Sequence, residues 1–323
     1  MESILITGVS GFVGGHFTRY LLSKKTSYDI HGVSRSKPAW DTVQDQALDL
    51  RSITFHPCDL LDSAKINTII EDVQPDTILH LASFSSVAQS WQDPLASFLN
   101  NTNAFLNIVE AVRTQELDSK ILSIGSSEEY GIVNMSDLPL TEAQQVNPAN
   151  PYAIAKVSEE YLSQIYVRGY HLKICRTRSF NHIGPGQREQ FVVSSIAKQF
   201  ADIAVNHKKP IITIGAGSII RDFVDIDDVI LAYAAILEKG VPGEVYNVCS
   251  GRGHSIQDIV DCLSGLTQMP IEMEQKIDLI RPIDNPVLIG SYEKLHRETG
   301  WEPTHSIEQS LEKIYNYWYD RLS

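Results

Sequence analysis

The chain has 323 residues, 43% of them hydrophobic and 21% charged, and a formal net charge of −13. That is enough apolar material for one large or two modest cores, but so acidic a surface does not hold nucleic acid or an anionic membrane through its general field. Any phosphate it binds has to be gripped locally, and neither the four cysteines (Cys58, Cys175, Cys249, Cys262) nor the ten histidines show a metal-ligand spacing, so no metal is predicted.

In chain order, SILITG (3–8) reads as a buried strand, and no signal peptide precedes it, so a cytoplasmic protein is expected. ITGVSGFVGGHF follows, with Gly8, Gly11 and Gly14 spaced G-x-x-G-x-x-G ahead of a helix near FVGGHFTRYLLSK. The first glycine permits a tight turn, the second lets backbone amides approach a pyrophosphate, and the third lets helix and strand pack closely. A strand before, a helix after and a place at the chain start make this a dinucleotide-binding turn rather than a structural one.

Strands are predicted at YDIHGVSR (28–35) and SITFHPCDL (52–60). The second strand ends on Ser34 and Arg35, where an acidic residue would have favoured NAD; an arginine can pair with a 2′-phosphate, so NADP is the leaning, although a solvated surface charge is the plain alternative. Asp59 and Leu60 suit the adenine edge, or Asp59 is an ordinary turn residue. A helix over SAKINTIIEDV, a strand at DTILHLAS (76–83), a helix over 95–113 and a strand at SKILSIGSS (119–127) follow. The next helix runs from Pro151 to about Arg168, then a strand over LKICRTRSF (172–180). Continuous apolar strands alternating with helices imply a doubly wound parallel α/β sheet of Rossmann type.

Beyond residue 180 the pattern loosens: NHIGPGQ (181–187) reads as loop, FVVSSIAKQFAD as helix, IITIGAG as a short strand and turn. RDFVDIDDVILAYAAILEKG holds a strand and a helix whose Asp225, Asp227 and Asp228 serve as N-cap and dipole charges. Its apolar run VILAYAAIL (229–237) is too short to cross a bilayer. EVYNVCSG reads as a strand returning to the sheet. Residues 1–180 are therefore expected to form the dinucleotide domain, joined by segments near 222–250, and 181–323 mainly a smaller mixed substrate lobe.

GSSEEYG (125–131) and PYAIAK (151–156) carry the chemistry. Tyr152 and Lys156 are one helical turn apart, so the ammonium can lower the phenol's pKa from its usual value near ~10 and also bond a nicotinamide ribose. Ser126 can donate to a carbonyl oxygen as it becomes an alkoxide. Tyr-x-x-x-Lys alone is a common surface pair; its weight here comes from following a glycine loop and a serine-ended strand. Arg221 and Arg281 are the candidate pyrophosphate clamps, or else partners of Asp222, Asp225 or Asp284.

TGVSGFVG, HLAS, SSEEYG, PYAIAK, FNHIGPGQ, RDFVDIDD and RPIDNPVLIG occur in the order and spacing of the extended short-chain dehydrogenase/reductases acting on nucleotide sugars, which the chain resembles over nearly its whole length. In detail it resembles the GDP-4-keto-6-deoxy-D-mannose reductases. The resemblance implies Ser126, Tyr152 and Lys156 as the catalytic set, and NADP(H), with NAD(H) possible, on Gly8, Gly11, Phe12, Val13, Gly14, Arg35, Asp59, Leu60, Leu81 and Ala82. It implies a GDP-linked sugar near Ser86, Gln89, Ser127, Asn181, Arg221 and Arg281, and a homodimer. Glu128 matches a glutamate that helps eliminate water in the related 4,6-dehydratases, so dehydration, or 4-epimerisation, stays open. Glu129, where dehydratases usually carry an apolar residue, Gly-Phe-Val-Gly in the first loop and a single Arg35 favour the reductase. A non-catalytic dinucleotide-binding regulator would need a damaged catalytic set, and this one is complete.

Overall fold

The computed structural model describes residues 2–24, 28–38, 53–279 and 285–323. β1 (Glu2–Thr7), an apolar run buried from Ile4 onward, feeds α1 (Phe12–Ser23), and β2 (Tyr28–Ser34) and β3 (Ile53–Pro57) follow. α2 (Ser63–Val73), capped by Asp62, leads to β4 (Thr77–His80). α3 (Val87–Gln92), α4 (Pro94–Phe98) and α5 (Ala104–Thr114) precede β5 (Lys120–Ser126). α6 (Pro151–Tyr170) and β6 (Lys173–Ser179) complete the first half.

The strands assemble in the order β3-β2-β1-β4-β5-β6, every neighbouring pair parallel. The order reverses between β1 and β4, and the crevice outside the carboxyl ends of the strands at such a switch point is where this architecture binds ligands. Two apolar layers cover the sheet. One includes Phe17 and Leu21 of α1, the other Ile66 and Ile70 of α2 and Phe105, Ile108 and Val112 of α5.

The second half begins with β7 (Asn181–Ile183), α7 (Val192–Asn206), β8 (Ile211–Ile214) and β9 (Ile220–Asp225). α8 (Ile226–Lys239) then packs on α1, and β10 (Val245–Val248) adds a seventh parallel strand beside β6. β11 (Gly253–Ser255), α9 (Ile256–Thr267), β12 (Glu272–Gln275), β13 (Val287–Leu288), α10 (Glu293–Thr299) and α11 (Ile307–Leu322) finish the chain. β9 is flanked by β7, β11 and β13, and β12 pairs β8. Phe200, Ile259, Leu263, Leu311 and Ile314 form the core that α7, α9 and α11 share.

The helix expected over 95–113 forms, running without interruption from Pro94 to Thr114 with a wide π-type turn at Leu99–Asn103. Buried Asn101 in that turn is tied back to the loop after β4, its Oδ1 accepting the Ser83 hydroxyl at 2.9 Å and the Phe84 N–H at 2.8 Å. The loop expected over 181–187 begins as a strand, because Asn181–Ile183 pair in register with Phe223–Asp225.

Candidate active site

The first turn is built for an anion. Gly8 has φ +68°, and a side-chain carbon there would lie 2.8 Å from the Ala82 nitrogen. One on Gly14 would lie 2.6 Å from the Val9 oxygen, so each glycine permits a close backbone approach. The N-terminus of α1 has no side-chain cap and no acid in its first turn, leaving its amides and dipole for a ligand. A dinucleotide pyrophosphate fits that cradle. Leu81 and Ala82 stand beside it: the Ala82 N–H donates to Thr7 Oγ1 at 3.2 Å and the Leu81 N–H to the Thr7 oxygen at 3.3 Å. Phe12 reaches the second half of the chain, where a side chain on Gly184 would lie 3.3 Å from its ring, and His16 bonds the Pro185 oxygen at 2.9 Å. Val13 packs partly buried against the core beside it.

At the far end of the crevice the Cys58 N–H donates to the Ser34 oxygen at 3.0 Å, so Arg35 and Asp59 sit at adjacent strand ends. Both are exposed. Asp59 also accepts the Leu61 N–H at 3.0 Å, a turn-forming bond, and Leu60 is buried in the core under α2.

Ser126, Tyr152 and Lys156 are brought together. Ser126 ends β5, and Pro151 occupies the first turn of α6 with Asn150 as N-cap, accepting the Ala153 N–H at 2.8 Å. This start places Tyr152 and, one turn on, Lys156 inward, both buried. The Tyr152 phenol lies beside Ser126. Lys156 Nζ donates to the Ile124 oxygen at 3.0 Å and pairs with Glu159 Oε1 at 3.0 Å.

The phenol's acidity differs from the expectation. Burial pushes the Tyr152 pKa up; Lys156 and Ser126 pull against it, Glu159 and Glu129 add to it, and the net lies above the ordinary value. The buried ammonium is offset by its own counter-charge. Burial opposes Lys156's proton, but Glu159 beside it holds the group above its usual range.

Glu128 lies at the rim, its Oε2 accepting from Asn150 Nδ2 at 2.9 Å. Ser127 beside it is buried. Asn181, half-buried, opens β7 just past β6. Ser86 caps α3 by accepting the Gln89 N–H at 3.2 Å, and Gln89 is exposed. Arg221 is buried, its Nη1 donating to the Ile220 and Asn285 oxygens at 2.8 Å each, and Asn285 in turn donates to the Gly131 oxygen, which ties the second half of the chain to the loop after GSSEEYG. Arg281 and Asp284 lie outside the described residues. Asp225 caps α8 through the Asp227 N–H at 2.9 Å, and Lys313 bonds Asp225 at 3.0 Å and Asp227 at 2.8 Å.

Sequence reasoning left out three groups. Asn150 is both helix cap and partner of Glu128, and Asn-Pro at a helix start could have marked it. Glu159 is a buried counter-ion three residues after Lys156, a spacing the helix period makes a contact. Glu160 holds Arg178 at 2.8 and 3.0 Å inside the fold, a pairing across elements without a local signal.

Among the described residues no helix is long and apolar enough to cross a membrane. A family profile described as GDP-mannose 4,6 dehydratase matches residues 5–314. The chain is 31% identical to a GDP-6-deoxy-D-mannose reductase of Pseudomonas aeruginosa over 99% of this chain and 98% of that protein. It is 27% identical to a GDP-mannose 4,6-dehydratase of Vibrio cholerae, over 95% and 91% of the two chains. Its fold is similar to the solved structure of RMD from Pseudomonas aeruginosa complexed with NADPH, with a TM-score of 0.87, 31% identity and coverage of 99% and 100%. The glycine cradle at a parallel-sheet switch point, the Ser–Tyr–Lys cluster and this full-length match together place the chain in the GDP-mannose 4,6-dehydratase family.

Proposed function

We propose that the chain is an NADP(H)-dependent reductase of the C4 ketone of a GDP-4-keto-6-deoxyhexose, of the GDP-4-dehydro-6-deoxy-D-mannose to GDP-D-rhamnose type, with NAD(H) as a weaker alternative cofactor. The observation that carries this reading is a buried Tyr152 beside Ser126 and a buried Lys156 paired with Glu159 at 3.0 Å. A ketone reduction needs an acid at that place, and burial keeps the phenol's proton on until the alkoxide takes it. The likeness to the Pseudomonas reductase over nearly the full chain points the same way.

Gly8, Gly11, Phe12, Val13 and Gly14 would hold the pyrophosphate end of the dinucleotide, Leu81 and Ala82 its nicotinamide side, and Asp59 and Leu60 the adenine. Arg35 is free to swing onto a 2′-phosphate because its side chain is exposed. When bound and reduced, the dinucleotide supplies a hydride. Ser126 orients the ketone oxygen and donates to it as charge develops. Tyr152 gives its phenolic proton to the oxygen on C4, and Lys156 fixes the phenol and the ribose. Asn181 and Ser127 border the sugar. Ser86, Gln89, Arg221 and Arg281 are assigned to the nucleotide-sugar end. The lobe boundary is proposed near residue 180, a cytoplasmic location is proposed, and the exposed Leu95, Tyr161 and Ile165 on α4 and α6 support a homodimer through those helices.

One observation favours a second reading, a 4,6-dehydratase: Glu128 is held at the rim by Asn150, where an eliminating carboxylate would stand. Incubation with GDP-mannose alone separates the two. The reductase leaves it unchanged, whereas a 4-keto-6-deoxy product without added reductant would establish the dehydratase.

A further inference from the structure

Glu129 lies beneath the site and is fully buried. Its Oε1 accepts the Ser126 N–H at 2.6 Å, and the Ser126 hydroxyl accepts the Glu128 N–H at 3.2 Å, closing a capping box on the turn that carries the serine. Gly125 makes room for the carboxyl, since a side chain there would collide with Glu129 Oε1 and the Thr177 oxygen. Glu129 Oε2 meets no donor among the described residues. The carboxylate that faces it is Glu160, held by Arg178 Nε at 3.0 Å and Nη2 at 2.8 Å.

Two ionised carboxylates do not face each other in a dry interior; one of them keeps a proton. Burial pushes Glu160 up, but Arg178 more than offsets it and holds Glu160 below the usual range. Burial, and then the Glu160 charge, push Glu129 well above it. The Ser126 N–H and the Arg178 cation on β6 pull against that rise, and the remaining titratable groups facing Glu129 are Tyr152 and Lys156 on α6 and Arg176 on β6.

Resting on the reading of Ser126 as the oxyanion donor, we infer that Glu129 is a neutral carboxylic acid that positions Ser126, one oxygen holding the serine's backbone amide while the other donates its proton to Glu160. It touches neither substrate nor cofactor and acts only through Ser126.

Two variants and a spectrum test this. Glu129→Gln keeps an acceptor for Ser126 and a donor for Glu160; Glu129→Leu keeps bulk and loses both. Glu129→Gln is expected to hold kcat within about threefold of the wild type, and Glu129→Leu to lower kcat on the order of tenfold to a hundredfold with KM little changed, the loss that a misplaced donor produces. NADPH affinity, read by fluorescence, reports that each variant is folded. Infrared spectra at neutral pH need no substrate: the wild type shows the carbonyl stretch of a neutral carboxylic acid, shifted in D2O and absent from Glu129→Gln. No such band, or equal loss of kcat in the two variants, overturns the inference. If the wild type turns over no 4-ketosugar nucleotide, the proposed function fails while the band still decides whether Glu129 holds a proton.

Discussion

Glu159→Gln perturbs the balance at the phenol while leaving every group that touches substrate in place. The wild-type pair has both side chains buried, with Lys156 Nζ 3.0 Å from one carboxylate oxygen and 3.2 Å from the other. At an effective dielectric of about 20, the gross attraction at that separation is about 5 kcal/mol, most of it offset by desolvation of the two charges. The amide retains one acceptor for the ammonium, so the stability loss should fall near the low end for a broken buried pair, about 3 kcal/mol, read as a lowered midpoint in urea. The informative effect is on Tyr152. Glu159 raises the phenol's pKa. Removing that negative charge leaves Lys156 less compensated and favours the phenolate. The protonated acid is then lost at lower pH, and the alkaline limb of kcat/KM moves to lower pH. The rate near neutral pH, where the phenol is still protonated, stays close to that of the wild type. An alkaline limb that is unmoved, or moves up, would mean that Lys156 sheds its proton or that Glu159 carries no charge, and would refute the reasoning.

Gly14→Ala should abolish NADPH binding in a fluorescence titration, because the added carbon would stand 2.6 Å from the Val9 oxygen, and retained affinity would remove the cradle from the account. Arg35→Ala should raise KM for NADPH on the order of tenfold and leave KM for NADH nearly unchanged, as loss of a guanidinium–phosphate contact requires; equal effects on both would make Arg35 a plain surface charge. Burial pushes the Asp222 carboxyl up to about 6 despite bonds from Ser250, Gly251 and Gly290. The folded state therefore binds more protons than the unfolded one between the ordinary carboxylate value of about 4 and that pKa, so this group's contribution to stability falls as pH rises through the window. Urea midpoints measured from pH 4 to 7 should show that downward contribution diminished in Asp222→Asn, and an unchanged slope would contradict it.

The parallel sheet was legible because strands buried on both faces are continuously apolar, and the glycine turn because its spacing sits between a strand and a helix. The cluster of Ser126, Tyr152 and Lys156 was legible for a similar reason: helix period and strand end are local properties. Ser126 to Glu129 also matches the capping-box spacing, yet two adjacent glutamates do not say which one turns inward. The structure turns Glu129 in and leaves Glu128 at the rim. The net rise of the phenol's pKa was not legible, because it depends on how dry the site is and on Glu159's charge, not on residue spacing. Arg221 was marked by its charge and its place in the RDF turn, but its bond to the Asn285 oxygen was not legible, because it crosses 64 residues of chain.

The most direct measurement follows the hydrogen. Wild-type protein is supplied with a GDP-4-keto-6-deoxyhexose and NADPH deuterated at the transferable position, and the sugar nucleotide is weighed by mass spectrometry. Deuterium at C4 of a 4-hydroxy product, one label per NADPH consumed and none formed by Tyr152→Phe, is the predicted result. Product formed without label, or label-independent conversion of GDP-mannose, would contradict external reduction at this site.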